Sequence, residues 1–166
     1  MALTTTLILI GSFILMEAFF SGSEIGMIAI NRIKMKKKAD EGNGSAQIVL
    51  DLLNTPEKLF ATTSLGTNLA VVSSTSIFTA YMVTNMGPKG ELMAMVILSP
   101  IILFAGEIVP KIILQNRADV IMPFLIRPLN VSLGLLSPII SFFTGISNFV
   151  TYKFIRLPKE DKKSFS

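Results

Sequence analysis

The chain contains no cysteine and no histidine. Disulfides and thiolate metal sites are therefore excluded, and the commonest transition-metal ligand is missing. Any metal held by side chains must sit on oxygen donors, the chemistry of hard cations such as Mg²⁺, Ca²⁺ or Na⁺. Charge is scarce as well: only 16% of the 166 residues are Asp, Glu, Lys or Arg. With no histidine or cysteine, no P-loop and no nucleophile elbow, the sequence gives no reason to expect an enzyme. No base-reading motif or aromatic–basic interleaving accompanies the net charge of +4, so no nucleic acid partner is expected.

What is present is hydrocarbon. Hydrophobic residues make up 51% of the chain, and the mean hydropathy is +0.63, too apolar for an ordinary soluble domain. The first apolar segment runs from about Leu3 to Ile30. It lacks a basic n-region and is too long for the core of a signal peptide, so it reads as a membrane span. It ends at the basic run Asn31-Arg32-Ile33-Lys34-Met35-Lys36-Lys37-Lys38. Such a cluster marks the cytoplasmic side and anchors to lipid headgroups, which puts the N-terminus outside.

After a Gly42-Asn43-Gly44 break, Ala46 to Leu53 shows apolar residues at helical spacing, a short amphipathic helix on the cytoplasmic face. Thr55-Pro56-Glu57 reads as a cap and first turn. A second span covers about Leu59 to Val83 without a charge, rich in Ser and Thr that allow close helix packing in lipid. Asn85 to Gly90 is an external turn. A third span covers about Leu92 to Leu114. The stretch Val120 to Phe154 is also apolar but carries Pro123, Pro128 and Pro138. A fourth crossing there would place Lys153, Arg156, Lys159, Lys162 and Lys163 outside, against the charge bias. It is therefore expected to be a bent belt or re-entrant helix on the inner side, with an ordinary fourth span as the alternative.

The third span contains Phe104-Ala105-Gly106-Glu107-Ile108-Val109-Pro110-Lys111. An ionisable residue in hydrocarbon is costly and normally faces a protein interior or an ion path. Pro110 has no N–H, so the Gly106 carbonyl loses its usual helical partner. A carboxylate beside a freed carbonyl is the beginning of a cation site. Glu107 and Lys111 also stand at i, i+4 in the favourable order for an ion pair, and a purely structural pair is the alternative reading.

The polar clusters of the three spans share a depth. Ser21 lies eleven residues before Arg32, Asn68 ten after Lys58, and Glu107 ten before Arg117. At 1.5 Å per residue each is roughly 15 Å from the inner charges, about half of a ~30 Å hydrocarbon core. In the first span Glu17, Ser21 and Glu24 are spaced i, i+4, i+7 and share a face, while Gly22 admits a neighbouring backbone. The plainer readings are a packing face of back-bonded hydroxyls for Ser21 and Ser23, and interhelical glue for Asn68.

Three ordered motifs carry a resemblance: Phe20-Ser21-Gly22-Ser23-Glu24-Ile25-Gly26 with Ile30-Asn31-Arg32, then Gly66-Thr67-Asn68-Leu69-Ala70, then Gly106-Glu107-Ile108-Val109-Pro110-Lys111. Together they resemble the CNNM/CorC family of membrane magnesium transporters over essentially the whole chain. The resemblance implies a homodimer whose protomers have three crossing helices and a juxtamembrane belt. It implies export of Mg²⁺ coupled to Na⁺ entry. It further implies Ser21, Ser23, Asn68 and Glu107 as ion ligands, helped by Gly106 and neighbouring carbonyls. Pro110 and Lys111 would shape the inner side of the pocket, and Gly22 stands where an alanine-like residue is common. Glu17 or Glu24 would serve the coupling ion or a proton.

Family members continue into cytoplasmic nucleotide-binding CBS domains. Here the expectation is a transmembrane domain over 1–158 and a cytoplasmic tail over 159–166, without those domains. The reading is thus an all-α, multi-pass protein of the plasma (inner) membrane, in contact with lipid and a second copy. Its N-terminus would be outside and its C-terminus cytoplasmic. The rival is a membrane-embedded divalent-cation sensor that does not itself transport.

Overall fold

The computed structural model describes residues 2–154, and side chains through 142. Every regular element among these residues is helical. Helix α1, Leu3–Ala29, is 27 residues long and so about 40 Å, enough to cross a bilayer with tilt. It stops because Ile30 turns extended, with ψ 139°. Asn31 then caps α2, Arg32–Asp40, its side chain accepting from the Lys34 amide at 3.0 Å. The basic run is therefore a helix in its own right, an element the sequence reading treated only as an anchor. Gly42 closes α2 at φ +89°, a left-handed turn that favours glycine.

Asn43 caps α3, Gly44–Leu53, through the Ala46 amide at 3.1 Å. Ala46, Val49 and Leu52 form its buried stripe. Pro56 starts α4, Pro56–Met86, at the first helical position, where a missing N–H costs nothing. Gly87, at φ +65°, reverses the chain into α5, Lys89–Ile101. A side chain at Gly90 would overlap the Met82 carbonyl, so this hairpin is tight.

The next segment, π1, Ile102–Ile108, is π-helical: the Val109 amide reaches back five residues to the Phe104 carbonyl. Pro100 precedes it and Pro110 follows it. Two residues without an N–H bracket the segment, and a widened turn between them reconciles the hydrogen-bond register. Helix α6, Val109–Phe154, breaks at Arg117, with φ −128° and ψ 24°. The third span of the sequence reading thus comprises α5, π1 and the start of α6, ending at this break.

Among the described residues, three helical stretches are long and apolar enough to cross a membrane: Leu3–Ala29, Pro56–Met86 and Lys89–Phe142. The last has 54 residues, about 80 Å of helix against a ~30 Å hydrocarbon core, so one crossing cannot contain it. Past the break, Met122, Ile126, Leu129 and Leu133 form a buried stripe against Met35, Val49, Leu52 and Leu59. A cleft of about 740 Å³ separates residues 130–141 of α6 from residues 52–62 of the α3–α4 corner. This portion packs against α2, α3 and the first turns of α4, beside the basic run, where the belt was expected. The prolines at 123, 128 and 138 sit inside the helix without ending it. The tail expected at 159–166, with Arg156, Lys159, Lys162 and Lys163, lies outside the described residues.

Helix α1 is central: it packs against α4, π1 and α6. The large buried hydrophobic side chains collect where α2, α3 and α6 meet its end. Outward positions elsewhere, such as Ile8, Leu15, Val72, Leu92 and Val96, are apolar and exposed, as lipid contact requires.

Candidate functional site

Around the middle of α1 the packing changes from large hydrophobes to small and polar groups. Gly66 of α4 receives the Phe20 ring, and a Cβ there would overlap it. This close approach brings the Glu24 carboxylate to the Thr63 hydroxyl, which donates at 3.0 Å. On another flank, Gly22 and Gly26 let α6 in: Cβ atoms at these positions would meet Pro110, Leu114 and Met122. On the flank between them, the Glu17 carboxylate lies directly over Gly106 of π1, in the space a side chain would fill.

Glu17 is 1% exposed, Ser21 3% and Ser23 0%. Glu17 Oε2, Ser21 Oγ, Ser23 Oγ and Thr67 Oγ1 are buried without a hydrogen-bond partner. Each such atom costs about 1–3 kcal/mol, and helical hydroxyls have an easy remedy in their own i−4 carbonyl. Ser12, Thr62, Thr84 and Ser132 take that remedy, at 2.7–2.9 Å. Ser21, Ser23 and Thr67 do not. Their oxygens remain available in a place where availability is expensive, which calls for a partner such as a water or an ion.

Glu107 and Lys111 complete the cluster. Lys111 Nζ donates to Glu107 Oε1 at 2.5 Å, and Glu17 interacts electrostatically with both groups. The neighbourhood therefore holds two carboxylates, one ammonium, a serine hydroxyl and the glycine backbone of an irregular helix. Among the described residues no group of three or more Asp, Glu, His or Cys is placed to hold a metal. A cation here would be held by at most two carboxylates and otherwise by neutral oxygens.

The sequence-predicted residues divide accordingly. Glu17, Gly106, Glu107 and Lys111 come together; Ser21 is one helical turn from Glu17 on the same face of α1, and Gly22 lies against Pro110. Glu24 is turned to Thr63 on α4. Ser23 follows Ser21 by two residues, about 200° around the helix, so the two hydroxyls occupy opposite flanks of α1. Asn68 is exposed, and its amide donates to the Ser64 carbonyl of its own helix at 2.9 Å. Depth along a helix was read correctly enough to find α4, but depth says nothing of azimuth. The inward face of α4 is Thr63, Gly66, Thr67, Ala70 and Ser74, all buried or half-buried. Thr67 was the residue missed, and its spacing from Thr63 and Ser74 was the available signal.

A second polar link was also missed. Asp119, just past the Arg117 break, accepts from the Asn31 backbone N–H at 2.9 Å and from Lys34 Nζ at 3.2 Å. The Asn31 hydrogen bond, and after it Lys34 and Lys38, hold its carboxyl below the usual carboxylate value of 3.8, against the opposing effect of burial. This link pins the belt to the junction of α1 and α2.

Comparison with known proteins places these features in company. The family model of the cyclin M transmembrane N-terminal domain matches residues 7–166. The UPF0053 inner membrane protein YfjD of Escherichia coli K12 is 30% identical over 134 residues, covering 79% of this chain and 31% of that protein. A UPF0053 protein of Haemophilus influenzae is 28% identical over 117 residues, 70% of this chain and 28% of its own length. The polyamine export protein of Escherichia coli K12 is 27% identical over 159 residues, 87% of this chain and 35% of that protein. The chain spans about a third of the length of these curated relatives.

Proposed function

The chain belongs to the cyclin M (CNNM) transmembrane N-terminal domain family, and from that premise we propose that it carries Mg²⁺ across the plasma (inner) membrane, outward and in exchange for Na⁺. The observation that carries this reading is the set of buried, unpartnered oxygens on Glu17 and Ser21 beside Gly106 and Glu107. Mg²⁺ prefers octahedral oxygen and dehydrates reluctantly. A site with two carboxylates at most, completed by hydroxyl, carbonyl and water oxygens, suits an ion that must also leave. Glu107 supplies the main charge, Ser21 and the Gly106 backbone supply neutral oxygens, and Glu17 serves the coupling ion or a proton. Thr67 lines the α4 side. Ser23 and Asn68 are the further ligands that the resemblance implies; here Ser23 is on the flank of α1 opposite Ser21, and the Asn68 amide is held by the Ser64 carbonyl.

The N-terminus lies outside and α2 lies at the cytoplasmic surface, because α2 carries Arg32, Lys34, Lys36, Lys37 and Lys38. A second copy packs on α4. Ser64, Asn68, Val72, Ser76, Ala80 and Thr84 form an exposed i, i+4 stripe there, small or polar at every position but Val72, and such residues in a membrane belong at helix interfaces.

A second reading has its own observation. Lys111 shows that Glu107 accepts a primary ammonium, and relatives named polyamine export protein cover most of the chain. An alkyl polyamine is therefore the rival cargo. Flux into proteoliposomes, measured with Mg²⁺ and with spermidine for the wild type and Glu107→Gln, decides. Mg²⁺ flux that Glu107→Gln abolishes supports the first reading. Spermidine flux alone replaces it with the second. Binding of Mg²⁺ without flux makes the protein a sensor.

A further inference from the structure

Lys111 has no place in a simple cation site. An ammonium next to the principal carboxylate opposes a second cation, yet here it sits on Glu107 and interacts with Glu17 as well. A rigid, sealed pair does not account for it. Both partners of the pair keep more than a third of their side-chain surface exposed, at 35% and 42%, so the pair is not sealed in packing. An i, i+4 pair contributes a few tenths of a kcal/mol on a water-exposed helix; in hydrocarbon it also neutralises Glu107, a service that a bound cation would take over.

Charge counting gives it a purpose. With both glutamates ionised and Lys111 in place, the group carries −1. Adding a divalent cation without moving Lys111 would make it +1. Adding the cation while Lys111 withdraws makes it 0, the state that low-dielectric surroundings favour. Lys111 is also long and flexible, with rotatable donors on a four-carbon stem, and its surface exposure leaves it room to move.

Resting on the Mg²⁺ reading of this site, we propose that the Lys111 ammonium is a tethered competitor of the cargo: it holds Glu107 in the empty protein and yields it when the divalent ion binds. The empty site is thereby kept from standing open as two uncompensated carboxylates. Cargo release is assisted too, because the returning ammonium replaces the departing ion on Glu107. The device trades affinity for turnover, as a carrier requires and a storage site does not.

The test is a Mg²⁺ titration of the chain in detergent, comparing wild type, Lys111→Met, Lys111→Arg and Glu107→Gln, each checked for folding by melting and gel filtration. Lys111→Met removes the competitor and binds Mg²⁺ about tenfold more tightly, on the scale of ~1.4 kcal/mol, while its proteoliposome flux falls. Lys111→Arg keeps a cation and shows no tightening. In a Lys111→Ala protein, added methylammonium competes with Mg²⁺, which a merely structural lysine would not produce. If Lys111→Met binds Mg²⁺ no better than wild type while Glu107→Gln abolishes binding, the tethered competitor is wrong and the site stands. If Glu107→Gln binds normally, the site reading is wrong and this proposal falls with it. Should Lys111→Met fail to fold, Lys111→Gln replaces it and is read the same way.

Discussion

The carboxylate of Glu17 occupies the volume that a side chain at Gly106 would need. One residue is on the first helix and the other on the π-helical turn of the third span, so this contact joins the polar groups of those two spans. It also makes Gly106 necessary for a reason of space rather than of backbone conformation.

Gly106→Ala is the direct consequence. The added methyl must displace the Glu17 carboxylate, and overpacking of this kind costs about 1–3 kcal/mol. Detergent-solubilised protein should melt earlier and bind Mg²⁺ at least several-fold more weakly. Glu17→Ala in the Gly106→Ala background should restore the melting temperature, because the collision is then gone. A double variant as unstable as the single one would place the clash elsewhere.

Pro110→Ala returns an N–H to the helix just after π1. The turn can then regularise, with the N–H of residue 110 donating to the Gly106 carbonyl. Loss of one neutral ligand should weaken Mg²⁺ binding by about tenfold, ~1.4 kcal/mol, with oligomeric state unchanged. Pro110 also lies against Gly22, so melting is measured on the same preparation. A fall in stability with unchanged affinity would assign Pro110 to packing alone.

Asp119 gives a pH dependence with a definite sign. Its carboxyl is lowered in the folded protein from the usual 3.8, so its stabilising effect is fully present above that value. It fades as pH falls through the lowered one. The melting temperatures of wild type and Asp119→Asn should therefore differ most above about pH 5 and converge in more acidic buffer. A gap that stays constant across that range would show the link between Asn31 and Asp119 to be independent of charge.

Membrane sidedness is open to labelling, helped by the absence of native cysteine. Single cysteines at Ala2 and Lys89 should react with an impermeant reagent from outside, and one at Lys36 only after permeabilisation. A cysteine at Lys162 should behave like Lys36. Reaction of position 162 from outside would mean that the segment after Arg117 crosses the membrane.

Much of this arrangement was legible in the chain. Apolar run length gave the three spanning helices, and the belt followed from where the basic residues fall. Pro110 announced an irregular helix. The sequence did not announce that Pro100 would bracket the same turn, because a proline near the middle of an apolar run has several possible consequences. Counting residues from a charged end finds depth and cannot find rotation, so Asn68 was expected inside while Thr67 is the residue that faces α1. The capping role of Asn31 and its bond to Asp119 span 88 positions, a separation that no local pattern encodes.

Helix α1 lies at the centre of the bundle and is also made first. Its glutamates enter the membrane before their companions exist. The Thr63 that meets Glu24 comes 39 residues later, and at about 5–20 residues per second that delay is seconds long. Glycine 106 comes later still. A lone carboxylate at mid-bilayer raises the insertion cost by about 2.5–3.5 kcal/mol, so α1 is a reluctant insertion substrate until the rest of the chain arrives. Its biogenesis should lean on whatever shelters nascent polar helices, and the helix at the heart of the candidate site is the one the cell must hold in waiting.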